Sequence, residues 1–265
     1  LPGNSARDED DLALLKAAAH EAGAIAAAHF GTGVAQWHKP GNQGLVSEAD
    51  LEIDRMLRAR LLAARPGFGW LSEEIEDDPA RLGAQALFIV DPIDGTRAFL
   101  EGDKGFAHAL ALVRGGQVTA AVVHLPLLGL TYSARQGGGA LLNDRPIVTP
   151  PRKGLLGARV LASRVQLAPE LWPGGLPAFE RHFRTSLAWR LCLVAEGRFD
   201  GMATLRETWD WDIAAATLIA TEAGARVTDR LGEALVFNRP HPASKGLLAG
   251  SSGVHADFLR GLGRK

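Results

Sequence analysis

One cysteine among 265 residues, Cys192, excludes an intrachain disulfide framework and fits a reducing compartment. It lies in Leu191-Cys192-Leu193-Val194, where it reads as a small buried hydrophobe and not as a nucleophile. An excess of one charge is lacking too. The 29 Lys and Arg are balanced by 30 Asp and Glu, so no overall field singles out a nucleic-acid polymer as partner. No apolar run approaches a membrane span and the N-terminal stretch has no signal-peptide pattern, so a soluble cytoplasmic protein is expected. The eight histidines have no metal-ligand spacing, and His108, set among apolar residues, is expected in the core. There is no internal repeat and no low-complexity linker. What is present is 46% apolar residues, enough for a sizeable core in one large domain or two closely joined halves.

The spacing of Leu12, Leu14, Leu15, Ala18, Ala19 and Ala22 predicts a helix over 8–30, opened by acidic residues 8–11 and closed by Gly31 and Gly33. A polar loop, His38-Lys39-Pro40-Gly41-Asn42-Gln43-Gly44, precedes a second helix starting at Ser47 and ending at Arg65-Pro66-Gly67. Strand-like segments follow at 69–72, 86–91, 108–113, 118–125, 129–134 and 140–142. Residues 1–150 therefore read as two helices on a mainly antiparallel sheet. After Pro150-Pro151, short strands at 160–162, 201–204, 225–228 and 246–249 alternate with helical stretches at 187–196, 212–223 and 255–262. That rhythm predicts an α/β half over 151–265.

The segment Ala86-Leu87-Phe88-Ile89-Val90-Asp91-Pro92-Ile93-Asp94-Gly95-Thr96-Arg97 carries the most chemical information. An apolar strand ends in two aspartates three residues apart, with a proline and a glycine forcing a turn. Magnesium prefers hard oxygen ligands, and carboxylates at a strand end supply them. Backbone N–H groups of Gly95 and Thr96 at a helix start are suited to phosphate. The bland alternative is a strand end and a helix cap, which would win for an isolated Asp-Gly but not for the whole motif. Haloacid-dehalogenase-type phosphatases place Asp-x-Asp-Gly-Thr here, the first aspartate attacking phosphorus. Pro92 occupies that position, so activated water is expected instead of an aspartyl-phosphate.

With Asp91-Pro92-Ile93-Asp94-Gly95-Thr96 the chain resembles the inositol monophosphatase superfamily. Gly69-Trp70-Leu71-Ser72-Glu73-Glu74, Ser47-Glu48-Ala49-Asp50 and Trp211-Asp212-Ile213-Ala214-Ala215-Ala216 match further family motifs in the family's order. The resemblance implies a layered αβαβα sandwich and a magnesium-dependent phosphomonoesterase with two or three ions. It implies that Glu73, Asp91 and the Ile93 carbonyl hold one ion, and Asp91, Asp94 and Asp212 another, with a third, weaker one near Glu73. It gives Thr96 and Asp50 the task of orienting or deprotonating water, Gly95 and Thr96 the phosphate, and Lys39 a place in a mobile loop over the site. Lithium sensitivity is a family trait. Asp50 also suits a capping box, Glu73 opens the acidic run 73–78, whose remainder reads as a solvated face, and Asp210 competes with Asp212.

The motifs say less about the leaving alcohol. Arg97 after Thr96 is similar to the bisphosphate nucleotidases, where inositol phosphatases have Thr-Asn-Phe. Leu205 stands seven residues before Asp212, where inositol enzymes place a sugar-binding glutamate; Glu207 would serve only through a shifted loop. Trp209 and Trp211 are candidates for stacking on a base, with core packing as the ordinary alternative. Trp37-His38-Lys39 and Phe237-Asn238-Arg239-Pro240 also resemble bacterial 3′(2′),5′-bisphosphate nucleotidase-like members. Adenosine 3′,5′-bisphosphate is therefore the expected substrate, then inositol 1-phosphate, then histidinol phosphate. A non-catalytic phospho-ligand sensor is the other class considered. Both dimers and monomers occur among such enzymes, so a homodimer stays open.

Overall fold

The apolar runs around Asp91 become the centre of a seven-stranded sheet with both faces buried. A computed structural model of the chain describes residues 2–39 and 44–264. The chain begins with α1 (Pro2–His29), the hairpin β1 (Gln36–His38) and β2 (Leu45–Ser47), and α2 (Glu48–Ala64). The large sheet is then laid down by β3 (Gly69–Ser72), β4 (Ala86–Asp94), the short helix α3 (Thr96–Leu100), β5 (Ala107–Arg114), β6 (Gln117–Leu125), β7 (Leu130–Arg135), β8 (Ala140–Leu142) and β9 (Arg145–Ile147). Its strands lie in sequence order, β3 parallel to β4 and every later pair antiparallel.

The second part of the chain supplies β10 (Arg159–Leu161), β11 (Glu180–His182), α4 (Leu187–Ala195), β12 (Gly201–Thr204), β13 (Thr208–Trp209), α5 (Asp210–Glu222), β14 (Arg226–Thr228), β15 (Ala243–Ser244), β16 (Leu247–Gly250) and α6 (Ser252–Gly261). A mixed five-stranded sheet runs β11-β10-β12-β16-β14. Among the described residues no helix is long and apolar enough to cross a membrane.

The alternation of side chains along the strands sets the layers. Phe88, Val90, Leu110, Leu112 and Val122 face Leu15, Ala18 and Ala22 of α1 and Ile53, Leu57 and Leu61 of α2. Leu87, Ile89, Ala109, Ala111 and Val123, on the opposite face, pack on α4 and α5, whose other side meets Leu161, Met202 and Ala249 of the five-stranded sheet. The outer face of that sheet, with Val160, Ala203 and Leu248, is covered by Val254 and Phe258 of α6. This is the αβαβα order. Small residues on α5, Ala214 to Ala216, let the helix lie close to both sheets.

Two readings of local structure change. α1 starts at Pro2, so residues 8–11 fall beyond its first turn and do not meet the positive end of the helix. Asp11 is instead buried and paired with Arg65 and Arg114 at 2.7 and 2.6 Å, tying α1 to the end of α2 and to β5. The acidic run is also not uniformly solvated. The Glu74 side chain is only 2% exposed, and Asp77 pairs with the buried Arg81.

A glycine is required where β15 turns into β16. Gly246 has φ +77°, and a Cβ there would lie 2.4 Å from the Thr204 carbonyl oxygen. Backbone cannot yield as a side-chain tip can. Gly246→Ala is expected to cost about 2 kcal/mol or more in urea unfolding, while Gly83→Ala, with open space around it, stays within about 1 kcal/mol.

Candidate active site

The parallel pairing of β3 with β4 sets Ser72 opposite Val90, so the next residues, Glu73 and Asp91, emerge side by side. The Glu73 N–H donates to the Val90 carbonyl at 3.3 Å. Asp212 arrives from the first turn of α5, packed against the same strands. One carboxylate oxygen from each of Glu73, Asp91 and Asp212 lies within 4.8 Å of the others. Asp91 is 1% exposed and, among the described residues, neither of its carboxylate oxygens has a hydrogen-bond partner. Burial and the neighbouring Glu73, Asp94, Asp212 and Glu74 push its pKa well up. Burial, then Asp94 and Glu73, do the same to Asp212. Three converging hard oxygen donors, one with both oxygens buried and unpartnered, are the chemistry a divalent cation such as magnesium requires.

Asp94 lies in the same cavity but is engaged differently. Its carboxylate accepts Ser186 Oγ–H at 2.6 Å, Ala188 N–H at 2.6 Å and Leu187 N–H at 3.1 Å, the N-terminal turn of α4. It is not one of the three clustered groups. Burial raises its pKa against those three bonds. Asp210, the sequence competitor of Asp212, turns to the Asn238 N–H at 3.1 Å, so the two aspartates of α5's first turn divide between a structural and a cluster role. That contact, with Arg81 donating to Asn238 at 2.6 Å, also accounts for the Phe237-Asn238-Arg239 segment as a tie at the base of α5.

Asp50 does two jobs. As the third residue of α2 it accepts Ser47 N–H at 2.8 Å and Ser47 Oγ–H at 2.5 Å, closing a capping box. Its other oxygen lies 3.1 Å from Thr96 Oγ, which is also 3.1 Å from the Ile93 carbonyl. Burial outweighs the Ser47 bonds and lifts the Asp50 pKa to about 6. Gly95 has φ +104° at the start of α3 and lines the small cavity with Thr96.

Lys39 lies among the carboxylates. Its ammonium donates to Glu73 at 2.9 Å and to Glu74 at 3.0 Å. Burial opposes its charge, but Glu73 and Glu74 win and its pKa is raised. Glu74, pushed up to about 8 by burial and Glu73, escaped the sequence reading; its position directly after a strand-end glutamate was the available signal. Residues 40–43 of the same loop lie outside the described residues.

The small cavity, about 190 Å³, shares Gly44, Glu73 and Asp212 with a larger one of about 570 Å³. Lys39, Arg206, Glu207, Trp209 and Trp211 complete the larger one. The Trp209 and Trp211 rings stack at 4.9 Å and 7°, and Trp209 is 39% exposed. Glu207 pairs with His241 at 3.2 Å, itself edge-on to Trp209. Leu205 is buried beneath α6, so that position cannot reach a substrate.

Comparison with known proteins identifies the family. The model of the inositol monophosphatase family matches residues 7–262. An inositol-1-monophosphatase of Rhizobium meliloti is 38% identical over 204 residues, 72% of this chain and 74% of the relative. A histidinol-phosphatase of Mycobacterium tuberculosis is 31% identical over 90% of this chain and 95% of its own length. The 3′(2′),5′-bisphosphate nucleotidase CysQ of Aggregatibacter actinomycetemcomitans is 31% identical, covering 73% and 75%. The structure of a Thermotoga maritima IMPase superposes with a TM-score of 0.80 at 28% identity, covering 97% of both chains. The matched span runs from within α1 through α6 and includes Glu73, Asp91 and Asp212, and the chain belongs to the inositol monophosphatase family, whose members are phosphoric monoester hydrolases.

Proposed function

We propose that the chain hydrolyses a small phosphate monoester, adenosine 3′,5′-bisphosphate first among the candidates, to alcohol and inorganic phosphate. The observation that carries the hydrolytic part is Asp91: a buried, unpartnered carboxylate among Glu73 and Asp212, opening on a cavity floored by Gly95 and Thr96. Glu73, Asp91 and the Ile93 carbonyl would hold one magnesium ion, and Asp91, Asp94 and Asp212 another. Bound there, magnesium supplies charge neutralisation for phosphate and a lowered pKa for water. The first half of the chain, to about residue 150, contributes most of these ligands. The second adds Asp212 and the wall that meets the leaving group.

The rest of the mechanism belongs to side chains. Asp50 holds Thr96 so that its hydroxyl donates to the carboxylate and keeps its lone pairs for a proton of the attacking water. The Gly95 and Thr96 N–H groups face the phosphate oxygens. Lys39 balances Glu73 and Glu74 and reaches the larger cavity, where Arg206 offers a second cation for a second phosphate. The Trp209–Trp211 pair supplies a flat apolar wall for a base. A second reading, inositol 1-phosphate, is favoured by Glu207, whose carboxylate lines the same cavity and suits a sugar hydroxyl.

Phosphate release from the two substrates, measured side by side with magnesium, tests the choice. The nucleotide is expected to have the higher kcat/KM. Trp209→Ala is expected to lower it about tenfold or more for the nucleotide, with inositol 1-phosphate changed less than about threefold. Preference for inositol 1-phosphate, with Glu207→Gln the damaging variant, would reverse the order.

A further inference from the structure

The motif Asp91-Pro92-Ile93-Asp94 is bent, and the bend has a specific partner. The β4–β5 ladder pairs Asp91 with Ala109 and next Asp94 with Ala107, so Pro92 and Ile93 together oppose the single residue His108. Pro92 has no N–H for the ladder, and a proline inside a central strand is tolerated at such a bulge. The Pro92 carbonyl is met by a side chain: His108 Nδ1–H donates to it. A carbonyl can only accept, so this bond places the imidazole proton on Nδ1.

Packing alone does not account for a histidine here. His108 is fully buried among Leu110 of β5 and Phe106, which precedes the strand, with the Phe106 and His124 rings each 6.1 Å away. Among the described residues its Nε2 has no partner. An apolar residue would fill the position without leaving a buried nitrogen unsatisfied. What the imidazole provides is a donor aimed at one peptide group.

We infer that His108 is a positioning residue for the cation site: by holding the Pro92 carbonyl it fixes the bulge that turns Asp91, the Ile93 carbonyl and Asp94 toward one cavity. The Ile93 carbonyl, next in the chain, is 3.1 Å from Thr96 Oγ, so two successive carbonyls are held, one by His108 and one by Thr96. The inference rests on the metal reading given under the proposed function, and it concerns affinity for the cation, not chemistry at phosphorus.

The test compares His108→Phe, which keeps a ring and loses the donor, with His108→Asn, whose amide N–H takes the place of Nδ1–H. Manganese binding to the metal-free protein is read by the EPR signal of free Mn2+. The magnesium concentration giving half-maximal hydrolysis of p-nitrophenyl phosphate is read in parallel. His108→Phe is expected to weaken Mn2+ binding about tenfold or more and to shift half-saturation by magnesium equally, with kcat at saturating magnesium within about threefold. His108→Asn should stay within about threefold of the parent in both. Equal weakening by Phe and Asn, or Mn2+ binding by the Phe variant within about twofold of the parent, overturns the inference. Should His108→Phe not fold, His108→Gln replaces it, since its longer amide overshoots the Pro92 carbonyl; Gln binding as tightly as Asn is then the overturning result. Asp91→Asn is the control. Unchanged Mn2+ binding in that variant refutes the metal reading itself, whereas weakening there but not in His108→Phe refutes only the role of His108.

Discussion

Replacing Asp91 with asparagine is expected to lower kcat by at least about 10³-fold while making the metal-free protein more stable. Both effects have one cause. Asp91 is buried with no hydrogen bond to either oxygen among the described residues, and Glu73, Asp94 and Asp212 add like charge around it. A cation turns that repulsion into attraction. Without one, the site is a cost the fold carries elsewhere. For a carboxyl whose folded pKa is raised, this cost is present at pH values above the folded pKa and fades as the pH falls through it. An asparagine removes the charge and brings an N–H₂ that can donate to a neighbouring carboxylate.

At pH 7.5 in excess chelator, Asp91→Asn should therefore melt above the parent, by roughly 2–4 °C for each 1 kcal/mol gained. Magnesium should reverse the order. At a free concentration about 100 times its dissociation constant it stabilises the parent by about 2.7 kcal/mol, and the variant far less. Calorimetry with and without magnesium, beside phosphate release, reads all of this on one pair of proteins. A variant that loses activity and melts lower in chelator would mean that Asp91 is a structural aspartate.

The sheet strands were legible because both faces of β4, β5 and β6 are buried, so residues 86–91, 108–113 and 118–125 read as continuous apolar runs bounded by glycines. The layers followed from the family resemblance, and the composition alone would have left them open. The carboxylate motif was legible for a different reason. Carboxylates concentrated where a strand stops are chemically unusual, and two such places, Glu73 and Asp91 with Asp94, recurred in one chain, while Asp212 came from the resemblance of Trp211-Asp212-Ile213-Ala214-Ala215 to a family motif.

What escaped was whatever depended on a partner distant in sequence. Nothing near Asp94 announces that Ser186, Leu187 and Ala188 converge on its carboxylate. Nothing near Glu74 announces Lys39, 35 residues earlier, whose ammonium makes its burial tolerable. The start of α1 was misplaced because an acidic stretch followed by an apolar stripe imitates a helix N-terminus, although Asp11 was placed for Arg65 and Arg114. His108 was correctly expected in the core, yet its bond to Pro92 exists only because the bulge in β4 sets two residues against one.

Asp50→Asn and Thr96→Val are each expected to reduce kcat about 10²- to 10⁴-fold, and together scarcely more than either alone. Thr96 Oγ carries one proton and faces two acceptors, Asp50 and the Ile93 carbonyl. Only an ionised Asp50 draws the hydroxyl proton to itself and leaves the oxygen lone pairs free for water. Burial sets that carboxyl at about 6, and divalent cations in the adjoining cavity pull it lower, so activity should fall with a slope of one at or below about pH 6. In Asp50→Asn this acidic limb should vanish along with most of the rate. Thr96→Val keeps the shape of the side chain and loses the relay, leaving Asp50 with its Ser47 bonds and α2 with its cap. Its melting temperature should stay close to the parent's, whereas a role confined to capping would leave its kcat intact. An acidic limb well above pH 6, retained in Asp50→Asn, would assign the base to another group.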